Sequence, residues 1–278
     1  VIEFVDIAGL VKGAHDGEGL GNKFLSHIRE VDAILEVVRA FENNDIHHVS
    51  GRINPEDDIA IIHTELVLAD LETTEKSIAR LEKEAKTGDT KVKKKLDGLY
   101  ALRKILGEEK HAHEYVPKND EEKEMLHELH LLTAKPILFL FNRTDASKSD
   151  FDKADQLTLN IKLEDEISQL GEEAGELREE SRINDLIKKA YEAVGLITFF
   201  TTGADETRAW AIPKNSTAPR AGRAIHSDFE EKFIRAEIIS YENLVEAGFY
   251  AKARERGLLQ TKGKDYRVQD GDVIEFKI

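Results

Sequence analysis

With 278 residues and 40% hydrophobic content, the chain is long enough to bury a sizeable core and to form two or three domains. It contains no cysteine, which excludes disulfides, thiolate catalysis and cysteine-ligated metal, and no apolar run reaches the roughly 18 to 20 residues that span a bilayer. The formal net charge of -15, from 40 basic and 55 acidic residues, argues against a domain-wide basic surface for nucleic acid.

IEFVDI, residues 2–7, predicts a strand that runs straight into a loop with five glycines between Gly9 and Gly21. Glycine loses backbone entropy on folding, so such a loop is explained by a bend, a close backbone approach or a movement. Residues 24–34 place Phe24, Leu25, Ile28 and Val31 on one helical face, and AILEVVRAF, residues 33–41, predicts the next strand. Strand, loop, helix and strand begin an α/β unit, and PILFLFN, residues 136–142, supplies the partner strand far downstream. Between them lie two helical patterns. Ile59, Ile62, Leu66, Ala69, Thr73, Ile78, Leu81 and Ala85 recur at helical spacing, as do Val92, Leu96, Leu99, Leu102 and Leu106 after the turn KTGDT at 86–90. They predict an antiparallel helical hairpin inserted into the α/β body, with a third helix over 121–132 returning the chain.

LTLNIKLEDEI, residues 157–167, alternates like a strand in its first part, and 171–196 contains a helix ending near Gly195. Composition shifts at Ile197. Strands are predicted at LITFFTT, TRAWAI, IRAEII and YRVQDGDVIEFKI, helices over 221–233 and 241–256, and a turn at Gln269-Asp270-Gly271-Asp272. The negative charge lies wholly before this module, since thirteen basic and thirteen acidic side chains cancel over 198–278. Arg208, Lys214, Arg220, Arg223 and Arg235 are candidates for a local basic face, and Trp210 reads as a core or groove residue.

The first strand ends in D-x-x-G. Asp6 stands where a carboxylate can accept from waters on a metal ion, the amide of Gly9 can donate to a terminal phosphate oxygen, and the glycines permit rearrangement when that phosphate leaves. This is the second half of a nucleotide switch. Its first half, the string G-x-x-x-x-G-K-[ST], does not occur in the sequence. FLFNRTD, residues 139–145, puts Asn142, Arg143 and Asp145 just past a strand end, where an amide and a carboxylate can read a purine edge. No paired acid and base are expected outside the switch region, and the five histidines from His111 to His226 are scattered without ligand spacing.

IEFVDIAGLVKGAHDGEGLGNKFLSHIRE, VVRAFENNDIHHVSGRINPEDDI and TGADETRAWAIPKNSTAPRAGRAIHSDFEEKFIRAEII together resemble the Obg-like ATPase family, YchF type, over essentially the whole chain. The resemblance implies a P-loop NTPase domain of the TRAFAC/Obg type at 1–55 and 134–197. It implies a helical coiled-coil insertion at 56–133 and a TGS domain of ubiquitin-like β-grasp fold at 198–278. The family begins with a phosphate-binding loop and first switch, and this chain, opening on Val1 within a strand-like run, is expected to lack them, by roughly 60 to 70 residues.

The implied activity is magnesium-dependent hydrolysis of ATP by a nucleotide-controlled switch that binds the ribosome or ribosomal RNA. Asp6 holds the metal through water, while the direct ligand is expected in the missing loop. Leu10 occupies the position of the catalytic glutamine of small GTPases, and leucine can neither orient nor deprotonate water. The family places a histidine in the loop after the next strand, which falls on His48, with His47 the lesser stand-in; an imidazole with a pKa of about 6.5 can accept a proton at neutral pH. NIKLE, residues 160–164, resembles the last base-contacting loop, so Asn160, Ile161 and Lys162 are expected at the purine.

NRTD departs from the family's N-x-x-E. Asp145 can accept from guanine, which keeps a GTPase on the same fold open as an alternative, and a non-enzymatic, nucleotide-dependent binding module is a second one. A cytoplasmic monomer without membrane contact is expected, although the hairpin's apolar stripe can be buried on itself or on a second subunit.

Overall fold

The computed structural model describes residues 2–7, 25, 27–43, 53–144, 153–203 and 206–278. The chain divides into two compact units, Glu3–Ala190 and Tyr191–Ile278, with Val1–Ile2 grouped with the latter.

In the first unit, β1 (Ile34–Arg39), β2 (Ile137–Asn142) and β3 (Gln156–Leu159) form a parallel sheet in that order, with Ile34 opposite Ile137 and Phe139 opposite Gln156. Parallel sheets are stable when both faces are covered. One face meets α1 (Pro55–Glu84): Val38, Phe139 and Phe141 pack with Ile59, and Ile34 and Ile137 with Ile62, Leu66 and Ala69. The other face sets Leu35, Leu140, Leu157 and Leu159 against Leu186 of α5 (Ile183–Ala193). Between β3 and α5 lies α4 (Ile161–Leu170).

α1 belongs to two layers at once. Its first half lies on the sheet, while Ile78 and Leu81 near its far end pack with Leu99, Leu102 and Leu106 of α2 (Thr90–Gly107) and with Met125 and Leu129 of α3 (Asp120–Leu129). Asn54 starts α1 by accepting from the amides of Glu56 and Asp57, with Pro55 at the first helical position and three acidic residues in the first turn. The hairpin turn is closed by Gly88 at φ 87°, a left-handed conformation that favours glycine. Asp89 caps α2 through the amide of Lys91 at 2.8 Å.

Gly98 marks the closest approach of α2 to α3, because a Cβ there would meet Glu122 Cγ at 2.9 Å, Met125 Cε at 3.0 Å and the Tyr115 hydroxyl at 3.1 Å. Gly98→Ala gains helix propensity of about 1 kcal/mol but overpacks this contact at a cost of about 1–3 kcal/mol. Urea unfolding followed by far-UV dichroism is expected to show a net loss near 1 kcal/mol.

The second unit is a mixed five-stranded sheet of order β5 (Thr207–Pro213), β4 (Leu196–Thr202), β8 (Asp272–Lys277), β6 (Arg235–Ser240) and β7 (Gln260–Lys262). Its first and last strands lie side by side and parallel at the centre, the β-grasp arrangement. Phe199, fully buried, meets Phe276 edge-on at 5.9 Å, and Ala218, Ala221 and Phe233 close this side. On the opposite side Ile239 and Val273 pack with Ala247 and Ala253.

Four sequence expectations are corrected. Residues 2–7 form no strand among the described residues: they have no ladder partner there, and Phe4 and Val5 are 52% and 56% exposed. NIKLE is no loop, because Asn160 accepts from the Leu163 amide at 3.1 Å and starts α4 at once. The helix expected over 221–233 is two short ones, α6 (Ala218–Gly222) and α7 (Ser227–Glu231), separated where His226 caps the second. The helix expected over 241–256 is likewise broken into α8 (Tyr241–Ala247) and α9 (Tyr250–Glu255) by Gly248 at φ 87°.

Candidate functional site

In an open parallel sheet, ligands bind beyond the carboxyl ends of the strands. Here those ends carry Arg39, Asn142 and the Leu159–Asn160 pair, and their backbones are tied together: the Ala40 amide donates to the Asn142 carbonyl at 2.9 Å and the Arg143 amide to that of Leu159 at 3.0 Å. Asn142 Oδ1 accepts from the amide of Ile161 at 3.2 Å, and Asn160 Nδ2 donates to the carbonyl of Thr144 at 2.9 Å. The two segments expected to contact a base are therefore joined in both directions. Asn142 keeps its amide NH2 without a partner among the described residues. Ile161 is 37% exposed, and Lys162 is directed to solvent with Glu166 at 3.7 Å.

This corner is braced from behind. Glu164 in the first turn of α4 accepts from Ser181 Oγ at 2.6 Å and the Arg182 amide at 2.7 Å, while the Arg182 guanidinium donates to the Thr158 carbonyl at 2.9 Å. At the end of β1, Arg39 donates to the carbonyls of Phe41 and Asn43 at 3.2 and 3.0 Å and stacks on the Phe41 ring at 4.8 Å. It thereby fixes the path of the chain over residues 39–43. The motifs do not mark Arg39, Glu164 or Arg182; a cation closing a strand and an acid in the first turn of a helix are the only signals they leave.

Asp6 is exposed in the segment 2–7. Its carboxylate is a hard oxygen donor open to solvent, a chemistry that fits a magnesium ion held through water. Gly9, Leu10, His47, His48 and Asp145 lie outside the described residues. Two clefts among the described residues, of about 160 and 410 Å³, lie on the helical hairpin around Arg80, Leu81 and Glu128, not at the strand ends.

The expectation that no acid–base pair lies outside the switch region is corrected. Glu36 on β1 and His63 on α1 face each other with Oε2 and Nε2 3.6 Å apart, and neither atom has a hydrogen-bond partner among the described residues. Burial, assisted by Asp58, pushes the Glu36 carboxyl up to about 8; burial, assisted by His111, pushes the His63 imidazole down to about 4. The His111 ring lies 4.6 Å from that of His63 and 5.4 Å from that of His113. These side chains come from β1, α1 and the 111–113 turn, so their linear spacing carries no signal.

In the second unit, Trp210 is half-buried and donates to Thr201 Oγ1 at 2.9 Å, with the Arg208 guanidinium 4.3 Å above its ring. Arg220 and Arg223 both approach Glu230, at 3.9 and 2.9 Å, which offsets part of the candidate basic face.

Residues 196–278 match the family model YchF-GTPase_C, described as a protein of unknown function, and residues 1–69 match one described as 50S ribosome-binding GTPase. The second match overturns the expectation that the N-terminal P-loop region is absent, since a P-loop GTPase domain is represented at 1–69. The chain is 45% identical over 296 residues to the ribosome-binding ATPase YchF of Bacillus subtilis, covering 99% of this chain and 81% of the relative. It is 40% identical to Obg-like ATPase 1 of Gallus gallus, covering 99% and 76%. A solved structure described as the Schizosaccharomyces pombe YchF GTPase superposes with a TM-score of 0.80 at 34% identity, covering 97% of this chain and 78% of that one.

Proposed function

The chain belongs to the Obg-like ATPase family, YchF type, and from that premise we propose that it hydrolyses ATP to ADP and phosphate as a nucleotide-controlled switch that binds the ribosome or its RNA. One observation carries the reading at this site: Asn142 and Asn160 stand at the carboxyl ends of neighbouring parallel strands, and each side chain bonds the other's segment, Asn142 Oδ1 accepting from the Ile161 amide and Asn160 Nδ2 donating to the Thr144 carbonyl.

In this reading Asn142, Arg143 and Asp145 take the purine from one side, and Asn160, Ile161 and Lys162 take it from the other. Asp6 would hold a magnesium ion through water, and the ion would supply charge neutralisation at the phosphates. The amide of Gly9 donates to the terminal phosphate oxygen. His48 accepts the proton of the attacking water, a role Leu10 cannot perform. The working division is nucleotide-binding residues 1–55 and 134–197, helical insertion 56–133 and TGS module 198–278. We assign the protein to the cytoplasm as a monomer. No helix among the described residues is long and apolar enough to cross a membrane, and RNA contact falls to a local patch rather than the acidic surface as a whole.

Calorimetry with magnesium, comparing ATP with GTP, and turnover of the wild type and His48→Ala test this reading. ATP is expected to bind more tightly, and His48→Ala to lower turnover by roughly 100-fold with little change in affinity. Tighter GTP binding would instead make NRTD a guanine reader through Asp145. Binding without turnover in the wild type would leave a nucleotide-dependent binding module, and unchanged turnover in His48→Ala would remove that residue from the chemistry.

A further inference from the structure

The helical stretch 27–30, the first described element after Asp6, is held at its carboxyl end by one lysine. Lys135 Nζ donates to the carbonyls of Ile28, Arg29 and Val31 at 2.6, 2.6 and 2.5 Å. An ammonium has three donors, and here all three serve carbonyls that a helix end leaves unpaired, where a cation also complements the dipole. Burial holds the Lys135 pKa below that of an ordinary lysine.

Arg29 reaches the other way. Its Nη2 donates to Thr73 Oγ1 at 2.9 Å and its Nη1 to the His130 carbonyl at 3.4 Å. Thr73 stands on α1 where that helix passes from the sheet to the hairpin, and its hydroxyl also donates to the Ala69 carbonyl at 2.9 Å. One turn earlier, Asp70 binds the amides of Leu132 and Thr133, both at 2.8 Å, fastening the returning chain to the same part of α1. The stretch 27–30, α1 at 69–73 and the chain at 130–135 are thus cross-tied at one point, from which a continuous helix runs on into the hairpin.

We propose that Arg29 and Lys135, which tie the chain just before the amino ends of β1 and β2, are positioning residues that make the 27–30 stretch, α1 and the 130–135 segment move as one body, so that nucleotide occupancy at the far, carboxyl ends of these strands is transmitted through β1 and β2 to the helical hairpin. The inference rests on the nucleotide-switch reading above and adds the route by which that switch is read out. A two-state element biased from one end is what coupling between distant sites requires. A 30-residue helix, about 45 Å long, is stiff enough to act as the lever.

Hydrogen exchange measured by mass spectrometry on the full chain, with and without magnesium and a non-hydrolysable ATP analogue, tests it. In the wild type the analogue is expected to change exchange across 74–106 by about twofold or more, and Arg29→Ala and Thr73→Val to abolish that change while analogue affinity stays within about threefold. Thr73→Val removes one hydroxyl and leaves no buried charge, so it carries the test should Arg29→Ala fail to fold. A hairpin response retained in Thr73→Val and Arg29→Ala, or analogue binding without any response in the wild type, overturns the coupling and leaves the ATPase reading intact. Failure of the analogue to bind overturns the nucleotide reading and the coupling with it.

Discussion

Glu36→Gln is expected to stabilise the protein at pH 8 and to reverse the pH dependence of its stability. With the folded carboxyl raised to about 8 from 4.5, the folded chain keeps a proton that the unfolded chain has lost, so stability falls as pH rises through that window. With the folded imidazole of His63 lowered to about 4 from 6.5, the unfolded chain takes up a proton that the folded chain refuses, so stability falls as pH drops through that second window. Between about pH 4.5 and 6.5 the two contributions cancel, since each state holds one proton on the pair. Above 6.5 only the Glu36 contribution remains, and it removes about 2 kcal/mol by pH 8.

The glutamine variant keeps the shape and offers an amide N–H to His63 Nε2, so its stability is expected to rise up to pH 6.5 and then to level off. The groups that face the pair, Asp58 and His111, are unchanged by the substitution. Urea midpoints at pH 5, 6.5 and 8, followed by far-UV dichroism, check the prediction. A decline above pH 6.5 that persists in Glu36→Gln would mean that another group carries it.

The elements that were legible before the structure are those whose stability is local or periodic. PILFLFN becomes β2 because a short aromatic and aliphatic run buried on both faces has few other uses, and AILEVVRAF becomes β1 beside it, half-buried, with Val38 buried and Val37 exposed. KTGDT becomes the hairpin turn because Gly88 alone there adopts a positive φ without strain. IEFVDI misled because a strand needs a ladder partner, which no run of apolar residues supplies for itself. Of the candidate site, the order of the motifs singled out Asn142 and Asn160, but the bonds that join their segments were not legible. Asn142 and Ile161 meet only because β2 and β3 pair in register, Phe139 opposite Gln156. Glu36 and His63, or Lys135 and Ile28, belong to the same class: pairings of residues 27 and 107 positions apart, created by packing and carrying no signal in linear spacing.

Asp70→Ala is expected to be the most damaging single substitution in the first unit. Asp70 is fully buried in the middle of α1, and its carboxylate accepts from the Leu132 amide, the Thr133 amide and Thr133 Oγ1, at 2.8, 2.8 and 2.7 Å. The Thr133 hydroxyl in turn accepts from the Ala112 amide at 2.9 Å, so one side chain orders both the 130–133 return and the turn that carries His111 and His113. Alanine leaves three buried donors facing a void, and each unsatisfied group costs about 1–3 kcal/mol, for a total on the order of 3 to 5 kcal/mol.

Asparagine is no remedy, because its NH2 would meet a donor where an acceptor is required. Thr133→Val removes two bonds, the one to Asp70 and the one from the Ala112 amide, while the Leu132 and Thr133 amides stay on Asp70; it strands one buried donor where Asp70→Ala strands three and is expected to cost about 2 kcal/mol, so the loss rises in the order Thr133→Val, Asp70→Asn, Asp70→Ala. Far-UV dichroism in urea is the readout, because the single tryptophan, Trp210, lies in the other unit. Exchange of the Leu132 and Thr133 amides should accelerate first. An Asp70→Ala variant within about 1 kcal/mol of the wild type would mean that the returning chain is held by the burial of Leu131 and Leu132 alone.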